Sequence, residues 1–378
     1  MQYLMGDFKI SERMMRFSVF VPRFYNLCKS YGFEKGRIMP SRAFCSDENQ
    51  GFPIILIAKH FGAFPFNHGL VGGIVATDRH GPHAHHGKDL VIIQASHVGY
   101  EQESGQFGVY RRLQVDDHCH TASCGKIFGV MDWYLKEYDF ARKNIVFSRI
   151  DDEAVVMIDN LLLDHTRDAG LFLSIEQFVA MASNHVPEPL NVFSTSKVFR
   201  INPDLKNRLP ETYWQEGKQV PIGEKLTANQ FYYKKTVSEA LEGRDQLERN
   251  LSYSMPRIVT STFPALAAAQ ANTQIEFDRV YRTIVNEGSY KGKNLAFIAG
   301  INIDISPKQG QLFPLTKFVP WAAYIQTWDG RTFLLEQEAL LDALCSQSVE
   351  NPDRIELSRA IRIMEDTPEI KIKIEPQQ

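Results

Sequence analysis

The sequence predicts an α/β fold with a mixed, mainly parallel β-sheet flanked by helices. Residues 89–96 (DLVIIQAS) form a continuous apolar, β-branched run, which is typical of a strand buried on both faces of a mainly parallel sheet. Residues 294–305 (NLAFIAGINIDI) form a second strand of the same kind. Residues 125–142 place apolar side chains on one face at helical spacing, which predicts a helix after the first strand.

The remaining elements follow from shorter patterns. Residues 10–30 predict one or two amphipathic helices with a break at Pro22, and residues 61–88 predict a glycine-rich loop with a buried segment at 70–76. A polar connection is expected at about 185–225. Helical patterns predict helices at 150–168, 173–183, 226–251 and 331–348. The tail at 369–378 alternates strictly between apolar and polar residues, which indicates an edge strand.

Composition limits the classes of function. The chain has 378 residues, which favours two domains, and its 44% hydrophobic and 23% charged content is typical of a globular protein with a sizeable core. A net charge of −3 gives no basic face for nucleic acid or an anionic membrane. No apolar run approaches the roughly 20 residues of a membrane span, and no signal-peptide pattern is present, so we expect a cytoplasmic protein.

Five widely spaced cysteines argue against a disulfide framework and favour core, metal or catalytic roles. Cys28 and Cys345 lie in helical patterns and are expected in the core. Three candidate metal ligands lie next to predicted elements: Cys45 after a short possible strand, His97 at the end of the strongest strand, and Cys124 just before a helix. A helix N-terminus stabilises a thiolate, and two thiolates with one imidazole form a known zinc pattern. Their wide spacing also fits small buried cysteines and a loop histidine.

An internal repeat relates the two strongest strands. At an offset of 205 residues, residues 87–128 match residues 292–333 without a gap, with eight identities in 42 positions. His97 corresponds to Asn302, and Cys124 corresponds to Asp329. The repeat therefore predicts a second half that kept the fold and lost a metal site.

Four short motifs occur in one order within residues 40–140, a little over a quarter of the chain. They are Cys45-Ser46-Asp47-Glu48, Phe66-Asn67-His68-Gly69-Leu70-Val71-Gly72-Gly73, Ser96-His97-Val98-Gly99 and Ala122-Ser123-Cys124-Gly125. Together they resemble the limiting-CO2-inducible protein B/C family, the theta-class carbonic anhydrases, whose fold is similar to that of beta-carbonic anhydrases.

The resemblance implies a zinc ion held by Cys45, His97 and Cys124, with Asp47 as the catalytic carboxylate. It implies reversible hydration of CO2 to bicarbonate by zinc-bound hydroxide. Asp47 matches the aspartate of an Asp–Arg dyad that usually reads Cys-x-Asp-x-Arg, but position 49 is Asn49. An arginine from elsewhere would then have to replace the dyad arginine, the candidates being Arg42, Arg79, Arg111 and Arg112. Without such an arginine, Asp47 would be free to bind the metal itself.

Histidines supply candidates for proton transfer or for the pocket lining. His68 lies in the second motif, and His80, His83, His85 and His86 lie in one loop with pKa values suited to a relay. Arg79 and Arg112 are further pocket candidates. For the histidine loop, the alternative is a solvated loop without a role in the site. For the whole chain, one alternative is a catalytically silent relative that acts as a binding partner in inorganic-carbon handling, and another is a different zinc hydrolase or lyase.

The repeat and the resemblance together predict a pseudo-dimer within one chain. Beta-type enzymes generally work as dimers, so residues 1–185 would form the zinc-binding domain and residues 186–378 a degenerate copy that acts as a fixed partner. The expected ligands are Zn2+ and CO2 or bicarbonate. The sequence does not decide whether the chain assembles further into homo-oligomers.

Overall fold

The computed structural model describes residues 9–76, 89–112, 120–236, 244–308, 311 and 315–368. Within these ranges the helices are α1 (Ile10–Arg13), α2 (Phe17–Ser30), α3 (Gly51–Phe61), α4 (Gly125–Asn144), α5 (Asn160–Leu163), α6 (Pro203–Arg208), α7 (Arg244–Ser252), α8 (Met255–Val259), α9 (Pro264–Asn286), α10 (Gln337–Cys345) and α11 (Leu357–Asp366). The strands are β1 (Met15–Arg16), β2 (Ile38–Ala43), β3 (Phe66–Asn67), β4 (Gly69–Leu70), β5 (Ile74–Val75), β6 (Asp89–Glu101), β7 (Gln106–Phe107), β8 (Val109–Arg111), β9 (His120–Ala122), β10 (Ile145–Ile150), β11 (Glu153–Asp159), β12 (Gly170–Leu173), β13 (Pro189–Val192), β14 (Ser196–Arg200), β15 (Val220–Pro221), β16 (Phe231–Lys234), β17 (Leu295–Ile305), β18 (Leu315–Gln326) and β19 (Thr332–Glu336).

The largest sheet has eight strands in the order β1-β18-β17-β6-β2-β3, with β19 added to β18 and β7 added to β6. Its centre is parallel, because β17 pairs with β6, β6 with β2, and β2 with β3 in that sense. The other four pairings are antiparallel. The prediction of a mixed sheet is confirmed, but parallel pairing is confined to its centre. Each outer strand that follows its partner through a short connection returns antiparallel, as short connections require.

Helices cover both faces of this sheet, which explains why its central strands are mostly apolar. On one face α2, α3 and α10 pack against side chains such as Ala296 and Ile298 of β17. On the other face α9 packs against Phe297 and Ala299, with Phe277 stacked on Phe297 at 5.2 Å between ring centroids. Successive side chains of β17 thus point alternately into two cores, and all of them are buried.

A second sheet has five antiparallel strands in the order β13-β14-β11-β10-β15, and α4 packs beside it. Strands from both sides of position 185 share this sheet, just as strands from both sides share the largest sheet. The division into a zinc-binding domain (1–185) and a degenerate repeat (186–378) stays a prediction. In the folded protein the two parts share sheets.

Several local predictions were wrong. Residues 150–168 form the end of β10, β11 and short α5, because the continuous apolar run 154–158, rich in β-branched residues, suits a strand that is buried along most of its length. The segment 173–183 is mostly irregular, with one turn of 3₁₀-helix at Ile175–Gln177. Residues 226–251 include strand β16 as well as α7, and residues 331–348 begin as strand β19 before α10. The α9 helix was not predicted.

The predictions for Pro22 and for residues 369–378 remain to be compared with the structure. Pro22 lies inside α2, and the break falls at β1, which pairs with β18. The predicted edge strand at 369–378 lies outside the described residues.

The repeated strands are neighbours in the structure. β6 and β17 pair in parallel at the offset of 205, with Leu90 opposite Leu295 and His97 opposite Asn302. After these strands the copies differ, because 106–128 gives short strands and the start of α4, whereas 311–333 leads into β18 and β19. The likeness is seen in the strands, and duplication of whole halves stays a prediction.

Candidate metal centre

The candidate site lies toward the carboxyl ends of the neighbouring parallel strands β2 and β6. Cys45 lies two residues after β2, and His97 lies in the C-terminal half of β6. In open α/β sheets, ligands generally bind at these carboxyl ends. Asp47 directly precedes a 3₁₀ turn that leads into α3, so the chain reverses over the end of β2 and brings the carboxylate to the imidazole.

Cys124 reaches the same place through backbone contacts. It is the N-cap of the 20-residue helix α4, where free N–H groups and the helix dipole favour a thiolate. Its neighbour Ser123 accepts a hydrogen bond from the backbone N–H of Gly99 (2.9 Å). A side chain at Gly99 would place Cβ 2.5 Å from the carbonyl oxygen of Val109, so this close approach requires glycine.

Four donor atoms converge here. The sulfurs of Cys45 and Cys124 are 3.7 Å apart, Asp47 Oδ2 and His97 Nε2 are 3.2 Å apart, and one ligand atom of each residue lies within 4.8 Å of the others. With zinc–sulfur bonds of about 2.3 Å and zinc–nitrogen or zinc–oxygen bonds of about 2.0 Å, a tetrahedral site has sulfur–sulfur and nitrogen–oxygen edges of about 3.8 and 3.3 Å. The two distances match those edges.

Two of these atoms are buried without a hydrogen bond among the described residues. Asp47 Oδ2 and His97 Nε2 are almost inaccessible to solvent, and although they are close, their contact lacks hydrogen-bond geometry. A buried polar atom without a partner is costly, so it indicates a missing ligand. Sulfur and imidazole donors with one carboxylate suit zinc among the common metal ions. The residues present therefore fit a metal ion.

The electrostatics of the cluster also favour a cation. A hydrogen bond from Cys124, together with the nearby imidazole, lowers the pKa of Cys45, while the same contact and burial raise the pKa of Cys124. Burial alone would raise the pKa of Asp47, but His97 and Arg112 hold it below its usual range. Burial would lower the pKa of His97, yet the neighbouring Cys124 and two carboxylates raise it well above its usual value. The donors thus draw positive charge to their centre.

His97 is oriented by groups that the sequence did not reveal. Its Nδ1 lies 2.9 Å from Oδ2 of Asp304, a fully buried carboxylate on β17. Gln50 donates to the same oxygen (2.7 Å), Thr316 donates to the other oxygen (3.1 Å), and Asn302 donates to Gln50 (2.8 Å). Because Nδ1 is engaged with Asp304, Nε2 is the ring nitrogen that faces the cluster.

Position 49, where the dyad arginine is expected, carries an asparagine. Asn49 is buried and donates to the hydroxyl of Ser123 (3.1 Å). Arg112 directly follows β8, donates to Thr121 (3.0 Å) and forms an ion pair with Glu48, and its charge acts on Asp47. Of the three arginine candidates among the described residues, Arg112 is therefore the one whose charge acts on Asp47.

The other predicted residues have different positions. His68 is buried against Ser41, with 2.5 Å between Nδ1 and the hydroxyl, and burial lowers its pKa to about 3, which does not suit a relay at neutral pH. Arg111 donates to the carbonyl of Pro307 (3.0 Å), and Arg42 is half-buried. Arg79 and the loop residues His80, His83, His85 and His86 lie outside the described residues.

The predictions for the remaining cysteines and for the second site are also decided here. Cys28 is buried as expected, but Cys345 is exposed at the end of α10 and was wrongly assigned to the core. Asp329 lies on an exposed turn and binds Thr327 and Arg331, whereas Asn302 is fully buried. The positions that correspond to the ligands therefore form no second cluster.

Fold and site define a class: a mixed α/β protein with a buried Cys/Asp/His/Cys donor set at the ends of parallel strands. Among solved structures, the chain is similar to PtLCIB4, a homologue of the limiting CO2-inducible protein LCIB. A histidine-to-alanine variant of PtLCIB4 gives a TM-score of 0.50 at 12% identity, covering 86% of this chain and 94% of that one. PtLCIB4 itself gives 0.49 at 12% identity over 86% and 96%, and LCIB gives 0.44 at 12% over 86% and 95%.

At this identity the comparison with the PtLCIB4 variant shows a shared fold. It therefore confirms, at the level of the fold, the resemblance that the four motifs indicated. Neither a protein-family model nor a curated protein matches the sequence. Among the described helices, none combines the length and the apolar character that a membrane crossing requires.

Proposed function

We propose that the protein is a zinc-dependent carbonic anhydrase that hydrates CO2 reversibly to bicarbonate. The observation that carries the proposal is the pair of buried, unpartnered atoms Asp47 Oδ2 and His97 Nε2 beside two sulfurs at the edge length of a tetrahedral zinc site. The motif resemblance and the fold shared with the PtLCIB4 variant support the choice of CO2 as substrate. A zinc ion bound here would supply a Lewis acid that lowers the pKa of a water molecule.

Asp47 decides whether the site is open. In the arrangement described here its carboxylate completes a set of four donors, and a zinc site that catalyses needs one position free. It is also the donor most open to solvent, since its side chain is 26% exposed while His97 is fully buried. We infer that Asp47 leaves the donor set in the active state and then accepts a hydrogen bond from the reacting water.

Arg112 is the residue best placed to hold Asp47 in that second position. Its charge already acts on Asp47, and its present partner Glu48 is 46% exposed, so this ion pair is weak and readily exchanged. We propose that Arg112, the residue directly after β8, takes the part of the dyad arginine in place of position 49. The carboxyl of Asp47 would then be fixed beside the metal without binding to it.

The C-terminal half has a supporting part in this proposal. Beta-type enzymes are completed by a second subunit, and here β17 brings Asn302 and Asp304 to the site from the same chain. We propose that this half is a built-in partner for the N-terminal half, and that further assembly into homo-oligomers is not required for the site.

One observation favours a second candidate function. A set of four protein donors is the arrangement of a structural zinc site, and Asn49 binds Ser123 instead of extending the dyad. If Asp47 never leaves, the protein would be a catalytically silent relative that acts as a binding partner in inorganic-carbon handling. The two candidates therefore differ in whether the carboxylate of Asp47 leaves the donor set.

Stopped-flow CO2 hydration, measured with the zinc content of each protein, tests the proposal. The wild type and Cys45→Ser are compared, and Cys345→Ser is the matched control because Cys345 is exposed and far along the chain from the donors. We expect about one zinc ion per chain and CO2 hydration in the wild type and the control, and loss of both in Cys45→Ser.

Each other outcome has a distinct meaning. Equal hydration rates in the wild type and in Cys45→Ser would refute the catalytic assignment. One zinc ion per chain without hydration would favour the silent candidate. Absence of zinc from the wild type after refolding or dialysis with the metal would remove both candidates.

A further inference from the structure

A buried amide on α9 connects two of the metal donors. Asn272 is fully buried, and its Nδ2 donates to the carbonyl oxygen of Gly72 (3.2 Å) and to the hydroxyl of Ser96 (2.9 Å). Gly72 in turn donates its backbone N–H to the sulfur of Cys45 (3.2 Å). Ser96 directly precedes His97. One amide group thus contacts the immediate neighbours of a thiolate and of the imidazole.

The residue at position 72 has little freedom. Its φ of +82° lies in the left-handed region, and an added Cβ would lie 2.9 Å from Cδ2 of Leu247. Glycine adopts that conformation without strain, which lets the turn between β4 and β5 aim its N–H at the sulfur. The direction of the N–H therefore depends on what holds the carbonyl of Gly72, and the structure shows Asn272 bound to it.

The orientation of Asn272 is itself fixed. Asn250 donates from Nδ2 to Oδ1 of Asn272 (2.8 Å) and to Oε1 of Glu276 (2.8 Å). The other oxygen of Glu276 accepts the backbone N–H of Val75 (2.8 Å), at the far end of the same turn. Because the oxygen of Asn272 is occupied by a donor, its nitrogen faces Gly72 and Ser96.

We propose that Asn272 is a positioning residue for the metal centre, which holds the N–H of Gly72 on the thiolate of Cys45 and the Ser96–His97 segment in place. This inference rests on metal binding in the proposed function but not on CO2 hydration. A hydrogen bond to a metal-bound thiolate reduces the negative charge that the sulfur donates to the metal. Asn272 would therefore set both the affinity of the site and the Lewis acidity of the ion.

Cobalt(II) is the probe for the test, because its absorption spectrum reports on sulfur ligands. The proteins are the full chain with Asn272→Asp, which keeps the shape but replaces the donor by oxygen, and Asn272→Leu, which keeps the volume and removes both polar groups. Asn351→Ala is the matched control: Asn351 is also buried, donates to the carbonyl of His60 (3.0 Å), and belongs to another part of the fold.

We expect both Asn272 variants to bind cobalt about 10- to 100-fold more weakly than the wild type in chelator competition, as for other residues that support a metal ligand. Their sulfur-to-cobalt charge-transfer band should move to lower energy, because the sulfur loses a hydrogen bond. Asn351→Ala should lower the unfolding midpoint and leave the band and the affinity unchanged.

A purely structural role would give another pattern. If the Asn272 variants lose stability as Asn351→Ala does, but keep the band position and an affinity within about twofold of the wild type, the inference is overturned. If the leucine variant does not fold, the aspartate variant decides the matter. Cobalt binding by the wild type without CO2 hydration would contradict the catalytic proposal alone, whereas no cobalt binding would overturn both.

Discussion

The two central strands of the large sheet, β6 and β17, can be compared residue by residue, because they pair in parallel at the offset of the sequence repeat. β6 carries His97, whose Nε2 faces the donor cluster. β17 carries Asn302 opposite it, and Asp304 two residues further along. The sequence repeat predicts that the second strand lost a metal site, but both of its polar residues are tied to the first strand's site.

The difference is one of role. Asp304 binds Nδ1 of His97, and Asn302 holds Gln50 against Asp304. These side chains are fully buried, and the carboxylate of Asp304 and the amide nitrogen of Asn302 find their hydrogen-bond partners at the site. One strand supplies the ligand, and its neighbour supplies the groups that orient the ligand. The predictions below test that division, from the largest expected effect to the smallest.

The largest effect should come from exchanging the paired residues for alanine, one at a time. His97→Ala removes a ligand, so zinc affinity should fall by more than about 1,000-fold, given the free energies of about 10–16 kcal/mol typical of structural zinc sites. Asn302→Ala should lower zinc affinity about tenfold or less and reduce unfolding stability by about 1–3 kcal/mol. Chelator competition and denaturant unfolding measure the two quantities. Similar losses of affinity in both variants would break the comparison.

A smaller effect is expected for Asp304→Asn. The variant keeps the shape but removes the carboxylate that orients the imidazole, and zinc affinity should fall about 10- to 100-fold. The matched change is Asp329→Asn, at the position that corresponds to Cys124 but lies on an exposed turn. It should leave zinc affinity unchanged. An effect of Asp329→Asn equal to that of Asp304→Asn would show that the repeat marks a second functional site.

The smallest effect concerns His68, which belongs to neither strand. Burial lowers its pKa to about 3 in the folded protein, below the usual 6.5, so below about pH 6.5 the unfolded chain binds a proton that the folded chain does not. Its contribution to stability is present above pH 6.5 and is lost as the pH falls toward 3, by up to about 1.4 kcal/mol per pH unit. His68→Gln should reduce that slope in urea unfolding and leave zinc affinity at pH 7.5 unchanged. A loss of affinity would place His68 in the site.

Patterns local in sequence could be predicted, and contacts between distant segments could not. The apolar runs of β6 and β17 and the helical face of α4 were recognisable from periodicity, since each pattern repeats within one element. Cys45, His97 and Cys124 stood out because their chemistry is distinctive. The strand β11 was mistaken for a helix, because a short apolar run fits both periods.

The second layer of the site was hidden for a physical reason. Asp304 is 207 residues from His97 in sequence, and only the pairing of β6 with β17 brings them together. One signal was available: Asn302 and Asp304 are polar residues within an otherwise apolar strand, where a buried carboxylate requires a partner. The repeat offset relates β17 to β6, the strand that provides this partner. Asn272 gave no such signal, since its role depends on the turn at Gly72.

The parallel pair of β6 and β17 also sets the order in which the protein can mature. All four donors have been synthesised once the chain has passed residue 124, but the carboxylate that orients His97 follows only at residue 304. Closure of so long a loop is a slow event in folding, compared with pairing of neighbouring segments. Metal captured by a nascent chain would therefore sit in an incompletely oriented site. If the site takes up a metal ion as proposed, final loading would belong to the last stage of folding, after β17 has joined the sheet.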